Sequence, residues 1–165
     1  MPKLNEAVGV ALLFLVIFLT LSLVSYQAQD PSWNTAATIG ETQNLTGAVG
    51  AHIADLLLQS FGLAAFMVPV LALALAWKWI RSSPIEAQWA RILGCLLLML
   101  SLSSTLALAP DWRIFHQSIP IGGMAGALLA GGLVARLNIT GAGLLTLACF
   151  TMSLYLLTSF SIFHV

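Results

Sequence analysis

Charge is what this sequence has least of. Asp, Glu, Lys and Arg together make up 7% of its 165 residues, and six acids balance six bases. Average soluble domains carry roughly 25% charged residues. With zero net charge and no basic run, the electrostatic footprint of a nucleic-acid-binding domain is missing. With 59% hydrophobic residues, a soluble fold of this length has no core large enough to hide the apolar surface. Cysteine is nearly absent as well. Cys95 and Cys149 each sit inside an apolar run and form neither a metal pattern nor a disulfide framework. There is no Gly-x-x-x-x-Gly-Lys-[Ser/Thr] phosphate loop. His52, His116 and His164 lie too far apart for a ligand set. No nucleophile–base pair stands out. The expectation is therefore a segment with no catalytic residues, no cofactor and no metal, whose solvent is lipid.

What is present is length in the apolar runs. Ala7 to Tyr26 holds no charge. At about 1.5 Å per residue, Glu6–Tyr26 reaches roughly 30 Å, one hydrocarbon thickness. It is too long for the core of a signal peptide, and Tyr26–Gln29 is a poor cleavage site, so it reads as a retained anchor. Further spans are expected at about 61–80, 92–109 and 141–163. Pro69 predicts a kink in the second, and Asn138 or Thr140 is expected to cap the fourth. Two shorter apolar stretches lie between the spans. In 47–60, Ala51, Ala54, Leu58 and Phe61 share one helical face, while His52, Asp55 and Gln59 share another. That pattern fits an amphipathic helix lying at the membrane surface. The stretch 121–137 carries five glycines and Arg136. At about 1 kcal/mol per interior Gly, it reads as a second short helix rather than a fifth span. The predicted fold class is an all-α membrane protein with four transmembrane helices plus two short interfacial helices, in one domain covering 1–165.

The cations decide orientation. Lys3, Lys78, Arg81 and Arg91 fall on one side, with only Arg113 and Arg136 on the other. The positive-inside rule places both chain ends and the 78–91 connector in the cytoplasm. Asp30, Glu41, Asp55 and Asp111 then fall outside. Trp77, Trp79 and Trp89 form an aromatic belt at the inner boundary, and Trp33 and Trp112 sit near the outer one.

The two short helices begin alike. Gly47-Ala48-Val49-Gly50-Ala51, followed by Ala54 and Leu57, matches Gly123-Met124-Ala125-Gly126-Ala127, followed by Ala130 and Leu133, at a constant offset of 76. Gly62 and Gly141 then open the following spans. A parallel repeat of span, outer loop, short helix and span is expected. Small residues recur four apart at Ala7/Ala11, Ala72/Ala76 and Gly122/Gly126/Ala130, which lets helix backbones approach closely. These serve packing inside the domain or self-association. Asn44-Leu45-Thr46 and Asn138-Ile139-Thr140 match a glycosylation sequon, but turn and cap roles explain both. The most individual string is Asp30-Pro31-Ser32-Trp33-Asn34, a rigid turn with an aromatic anchor. It is the candidate interaction turn.

Leu4-Asn5-Glu6, the long apolar span, Ser25-Tyr26 and the Asp30-Pro31-Ser32-Trp33-Asn34 string together resemble the N-terminal membrane domain of the FtsK/SpoIIIE DNA translocases. Gly47-x-x-Gly50, Ala54-Asp55-Leu56-Leu57, Phe61-Gly62-Leu63-Ala64-Ala65 and Gly122-Gly123-x-x-Gly126 are similar to later parts of that domain. The resemblance covers nearly the whole chain. It implies a bacterial inner-membrane protein at the division septum, contacts with other division proteins, and a hexamer. It also implies DNA and ATP as partners only through a C-terminal motor that either lies beyond Val165 or is absent. A small transporter or channel built from the repeat is the alternative, with Asp55, Ser101, Ser104 and Thr105 along its path.

Overall fold

Greasy side chains with helical propensity and few internal charges produce long helical segments. The computed structural model describes residues 2–33, 42–82, 88–109, 112–115 and 118–158. Helix α1 runs Pro2–Val24, α2 Gly47–Phe61, α3 Met67–Ile80, α4 Gln88–Ala107 and α5 Gly123–Leu157. Between α4 and α5 lies a hairpin of two-residue strands, β1 (Arg113–Ile114) and β2 (Ile119–Pro120), paired antiparallel. The sequence predicts only a loop there; Ile119 is buried, which explains why the hairpin is held. Among the described residues four segments are long and apolar enough to cross a bilayer: Lys3–Val24, Gly47–Ile80, Gln88–Ala107 and Gly123–Leu157. Their large apolar side chains face outward, Phe14, Ile17, Leu96 and Leu144 among them. In water such a surface would be an aggregation patch; here it is the lipid face of a multi-pass membrane protein.

Both of the longest segments are broken where left-handed backbone interrupts them. Gly62 has φ 58° and ψ −136°, ends α2 and opens a 3-10 turn over Gly62–Phe66. Asn138 has φ 60° and ψ 172°, dividing α5 into 123–137 and 139–157. These conformations belong almost wholly to glycine. Pro69, expected to kink the second span, falls instead in the first turn of α3. There its missing N–H costs nothing and its fixed φ suits the helix. The irregularity sits before it, in the 3-10 turn. The last expected span, 141–163, begins earlier, at Ile139, and residues beyond Thr158 lie outside those described.

The two halves pack alike. α1 packs antiparallel on α3 and α4 on α5, through glycine in each case. A Cβ on Gly9 would lie 3.2 Å from the Ala76 carbonyl, and one on Gly94 would lie 3.3 Å from that of Ser153. Gly50 of α2 rests on Ser22 of α1, and Gly126 of α5 rests on Ser103 and Ala107 of α4. Left-handed backbone occurs at Gly47 and Gly123, and again at Gly62 and Asn138, each pair 76 residues apart. The structural partner of Gly62 is thus Asn138, where the sequence points to Gly141.

The halves meet at one crossing. A Cβ built on Gly62 would strike the Ile121 carbonyl and the Gly123 nitrogen, and one on Gly123 would strike the Gly62 nitrogen. Leu63 N–H donates to the Ile121 carbonyl at 2.8 Å, and the Ser103 hydroxyl donates to the Phe61 carbonyl at 2.8 Å. Beside this crossing Leu23, Tyr26, Ala54, Leu58, Ala65 and Ile119 form the buried core. The core lies at the end of the bundle that carries the 25–46 loop and the β hairpin, with Tyr26 and Phe115 edge to face at 5.2 Å. Arg81 and Ser82, after α3, and Gln88, which opens α4, lie at the opposite end, where Asn5 Nδ2 reaches Ser82 Oγ. Lys3 in the first turn of α1, Lys78 in the last turn of α3 and Arg81 just after it all lie at this connector end, and Arg81 stacks over Trp77.

The crossing sets a graded expectation. Gly123→Ala adds both left-handed strain and a backbone clash, whereas a Cβ at Gly47, also left-handed, meets open space. Thermal unfolding in detergent micelles should show Gly47→Ala costing about 1 kcal/mol and Gly123→Ala roughly 3 kcal/mol or more.

Candidate interaction surface at the loop end

The loop after α1 is polar, and its polar groups must be satisfied against one another where water is excluded. Asp30 is buried, and its carboxylate closes the loop. Oδ1 accepts the Gln43 N–H at 2.7 Å, and Oδ2 accepts the Asn44 N–H at 2.9 Å. Asn44 donates from Nδ2 to the Ser22 carbonyl at 2.8 Å. Its Oδ1 accepts the Thr46 N–H at 3.0 Å and the Thr46 hydroxyl at 2.6 Å. Ser22 and Thr46 hydroxyls lie 2.7 Å apart, and Ser25 Oγ accepts the Leu45 N–H at 3.0 Å. Both ends of the loop are therefore pinned to the last turn of α1. The Asn44-Leu45-Thr46 sequon is occupied by this network.

Within the candidate turn the residues divide in role. Asp30 faces inward as the loop clasp. Pro31 and Ser32 are half-buried, and Trp33 is 69% exposed, its ring edge-on to His52 at 5.5 Å. Asn34 lies outside the described residues. Below Trp33 is a second network. Asp55 of α2, 2% exposed, accepts the Tyr26 hydroxyl at 2.9 Å and the Gln59 amide at 2.8 Å, both on Oδ1. Burial first, then the bond to Asp55 and the negative charges of Asp55 and Asp30, push the Tyr26 hydroxyl above its ordinary value. It therefore stays protonated and remains a donor. His52 turns Nδ1 to the Ala48 carbonyl at 2.7 Å.

Gly122, Gly126 and Ala130 are all buried, the two glycines turned onto Ser103 and Ala107 of α4. Of the polar residues named for a transport path, Ser101, Ser104 and Thr105 share a face of α4, and Asp55 lies on α2. Ser101 donates to the Leu98 carbonyl and Thr105 to that of Ser101, both within α4. Ser104 Oγ is buried without a partner among the described residues. Asp55 lies at the loop end, tied to Tyr26 two residues past α1. Cys95 and Cys149 are free thiols. Among the described residues no group of three or more His, Cys, Asp or Glu is arranged to hold a metal ion.

Sequence reasoning missed the Tyr26–Asp55 pair. The residues are 29 apart and their meeting depends on α2 folding back over the end of α1. The polar stripe of α2 was the available signal, since it had to face either water or a buried partner.

Comparison with known proteins adds a lineage. Residues 3–165 match the 4TM region of DNA translocase FtsK/SpoIIIE. The chain is similar to DNA translocase FtsK of Pseudomonas aeruginosa, 30% identical over 99% of this chain and 21% of that protein. It is similar to DNA translocase FtsK of Shewanella oneidensis, 32% identical over 89% of this chain and 16% of that protein. It is also similar to DNA translocase FtsK 2 of Ralstonia nicotianae, 34% identical over 88% of this chain and 20% of that protein. The chain thus spans about a fifth of the length of these relatives. No solved structure matches it.

The loop network has a measurable worth. Asp30→Ala removes the acceptor for two main-chain N–H groups and should lower stability in micelles by roughly 2–4 kcal/mol, while Tyr26→Phe, which deletes one bond to a charged acceptor, should cost about 1–3 kcal/mol. Thermal melts of the two variants against the parent check both values.

Proposed function

Because this chain belongs to the family of the 4TM region of DNA translocase FtsK/SpoIIIE, we propose that it is the membrane anchor and division-machinery interaction domain of a DNA translocase. The observation that carries the reading is the match itself, which runs through all four spans while covering only about a fifth of each relative. Relatives named as DNA translocases have most of their length outside this region. A domain built almost wholly of lipid-facing helices and hydrogen-bonded loops suits holding and positioning better than chemistry. In this role the domain lies in the bacterial inner membrane with both chain ends cytoplasmic, in line with the excess of Lys and Arg at the connector end. It self-associates, a hexamer matching a ring-shaped motor. It contributes no catalysis of its own; ATP and DNA meet the motor rather than this segment.

The face offered to other division proteins is the loop end. Trp33 and Trp112 are large exposed aromatics there, and Trp33 follows the Asp30 clasp in the chain. Aromatic side chains presented on a rigid base are the usual energetic centres of interfaces.

A fusion of this chain to a fluorescent protein tests the role in dividing cells. The expected result is enrichment at the septum, reduced at least threefold by Trp33→Ala with membrane insertion unchanged. Uniform membrane fluorescence of the unaltered chain contradicts the reading.

A further inference from the structure

A groove of about 360 Å³ lies between α2 and the first half of α5, lined by Trp33, Asp55, Leu56, Gln59, Met124 and Leu128 among others. Its size falls within the range of small-molecule sites. Its chemistry is uneven. One end holds the Asp55 carboxylate, almost fully buried, with the donors on Oδ1 both neutral, the Tyr26 hydroxyl and the Gln59 amide. A buried carboxylate with neutral partners calls for a cation, since desolvation without charge pairing is costly. The rest of the groove is apolar. Leu56, Met124 and Leu128 are 50%, 62% and 71% exposed and continue outward onto the lipid face.

Depth narrows the ligand. Asp55 is bonded to Tyr26, two residues beyond the end of α1 at Val24, so the carboxylate lies where the first span leaves the hydrocarbon. The Trp33 indole borders the same groove, and Trp favours the headgroup level. A site with a carboxylate at headgroup depth and an apolar channel running from it toward the acyl region matches an amphiphile whose headgroup carries an ammonium. We propose that this groove binds a phospholipid through its primary ammonium headgroup, as in phosphatidylethanolamine. The ammonium donates to Asp55 beside Trp33, and the upper part of an acyl chain lies along Leu56, Met124 and Leu128. The second half does not repeat this pair of polar side chains. At the positions 76 residues on, Asp55 and Gln59 are replaced by Gly131 and Ala135, so one lipid binds per chain.

Native mass spectrometry of the full chain released from nanodiscs provides the test. The discs hold equal parts phosphatidylethanolamine, phosphatidylcholine, which has no N–H to donate, and phosphatidylglycerol, which has no ammonium. The expected result is one retained phosphatidylethanolamine per chain, at least fivefold above the other two. Asp55→Asn should abolish the preference. Leu128→Trp, which fills the groove without removing any member of the Tyr26–Asp55–Gln59 network, should abolish it too while thermal stability stays unchanged. Equal retention of the three lipids by the unaltered chain overturns the assignment, as does a preference that survives Leu128→Trp. Competitive capture of a basic single-span peptide in the same discs, with no lipid preference, would assign the groove to a protein and equally overturn it.

Discussion

Two main chains touching at Gly62 and Gly123 hold this domain in its shape. Neither position has room for a side chain, and both adopt left-handed backbone. In a membrane, helices gain little from burying apolar surface against one another, because lipid is equally apolar. Close backbone approach and hydrogen bonds must supply the specificity. Here they do so at a point: Leu63 N–H reaches the Ile121 carbonyl, and Ser103 reaches that of Phe61, at the place where a helix break frees those groups. The break that would be a defect in an isolated helix is thus repaired by the other half of the chain.

The same break occurs a second time with a different solution. Asn138, 76 residues after Gly62, uses its own Oδ1 to accept the Ile139 N–H at 2.7 Å. No second half is needed to satisfy it. A repeated unit has therefore been closed off at its far end by a residue that supplies its own cap. The divergence extends to the short helices. α2 keeps a polar stripe that meets Tyr26 and the outer loop, while the equivalent part of α5 carries Leu128, Gly131 and Ala135. Architecture is shared between the halves; polar chemistry is concentrated in the first.

Much of this was legible in the linear chain, for physical reasons that differ by feature. Apolar run length fixes the spans because the bilayer thickness is fixed. The matched Gly47 and Gly123 strings expose the repeat because both must turn the backbone left-handed. Other features were hidden because they are settled by distant contacts or by local competition. Asp30 reads as an exposed turn residue, yet it is buried by main-chain donors at Gln43 and Asn44. Pro69 reads as a mid-span kink, yet the 3-10 turn before it shifts it into a first helical turn. Gly141 looks like the natural counterpart of Gly62, but Asn138 tolerates the left-handed region by capping its neighbour.

Function follows from where the polar groups lie. The Asp30 and Asp55 networks lie at the loop end, while Lys3, Lys78 and Arg81 lie at the connector end and Arg113 lies on the hairpin. In the proposed anchoring role, one end serves contacts beyond the membrane and the other serves attachment to a motor, with the helical bundle between them. All of this requires that the halves meet as described. Cysteines at Leu63 and Ile121, in a chain lacking Cys95 and Cys149, measure that meeting directly when a short thiol cross-linker is applied in native membranes. The expected result is an efficient link within single chains. No link there, in membranes where Asn5→Cys and Ser82→Cys join readily at the other end, would contradict the crossing on which the fold rests.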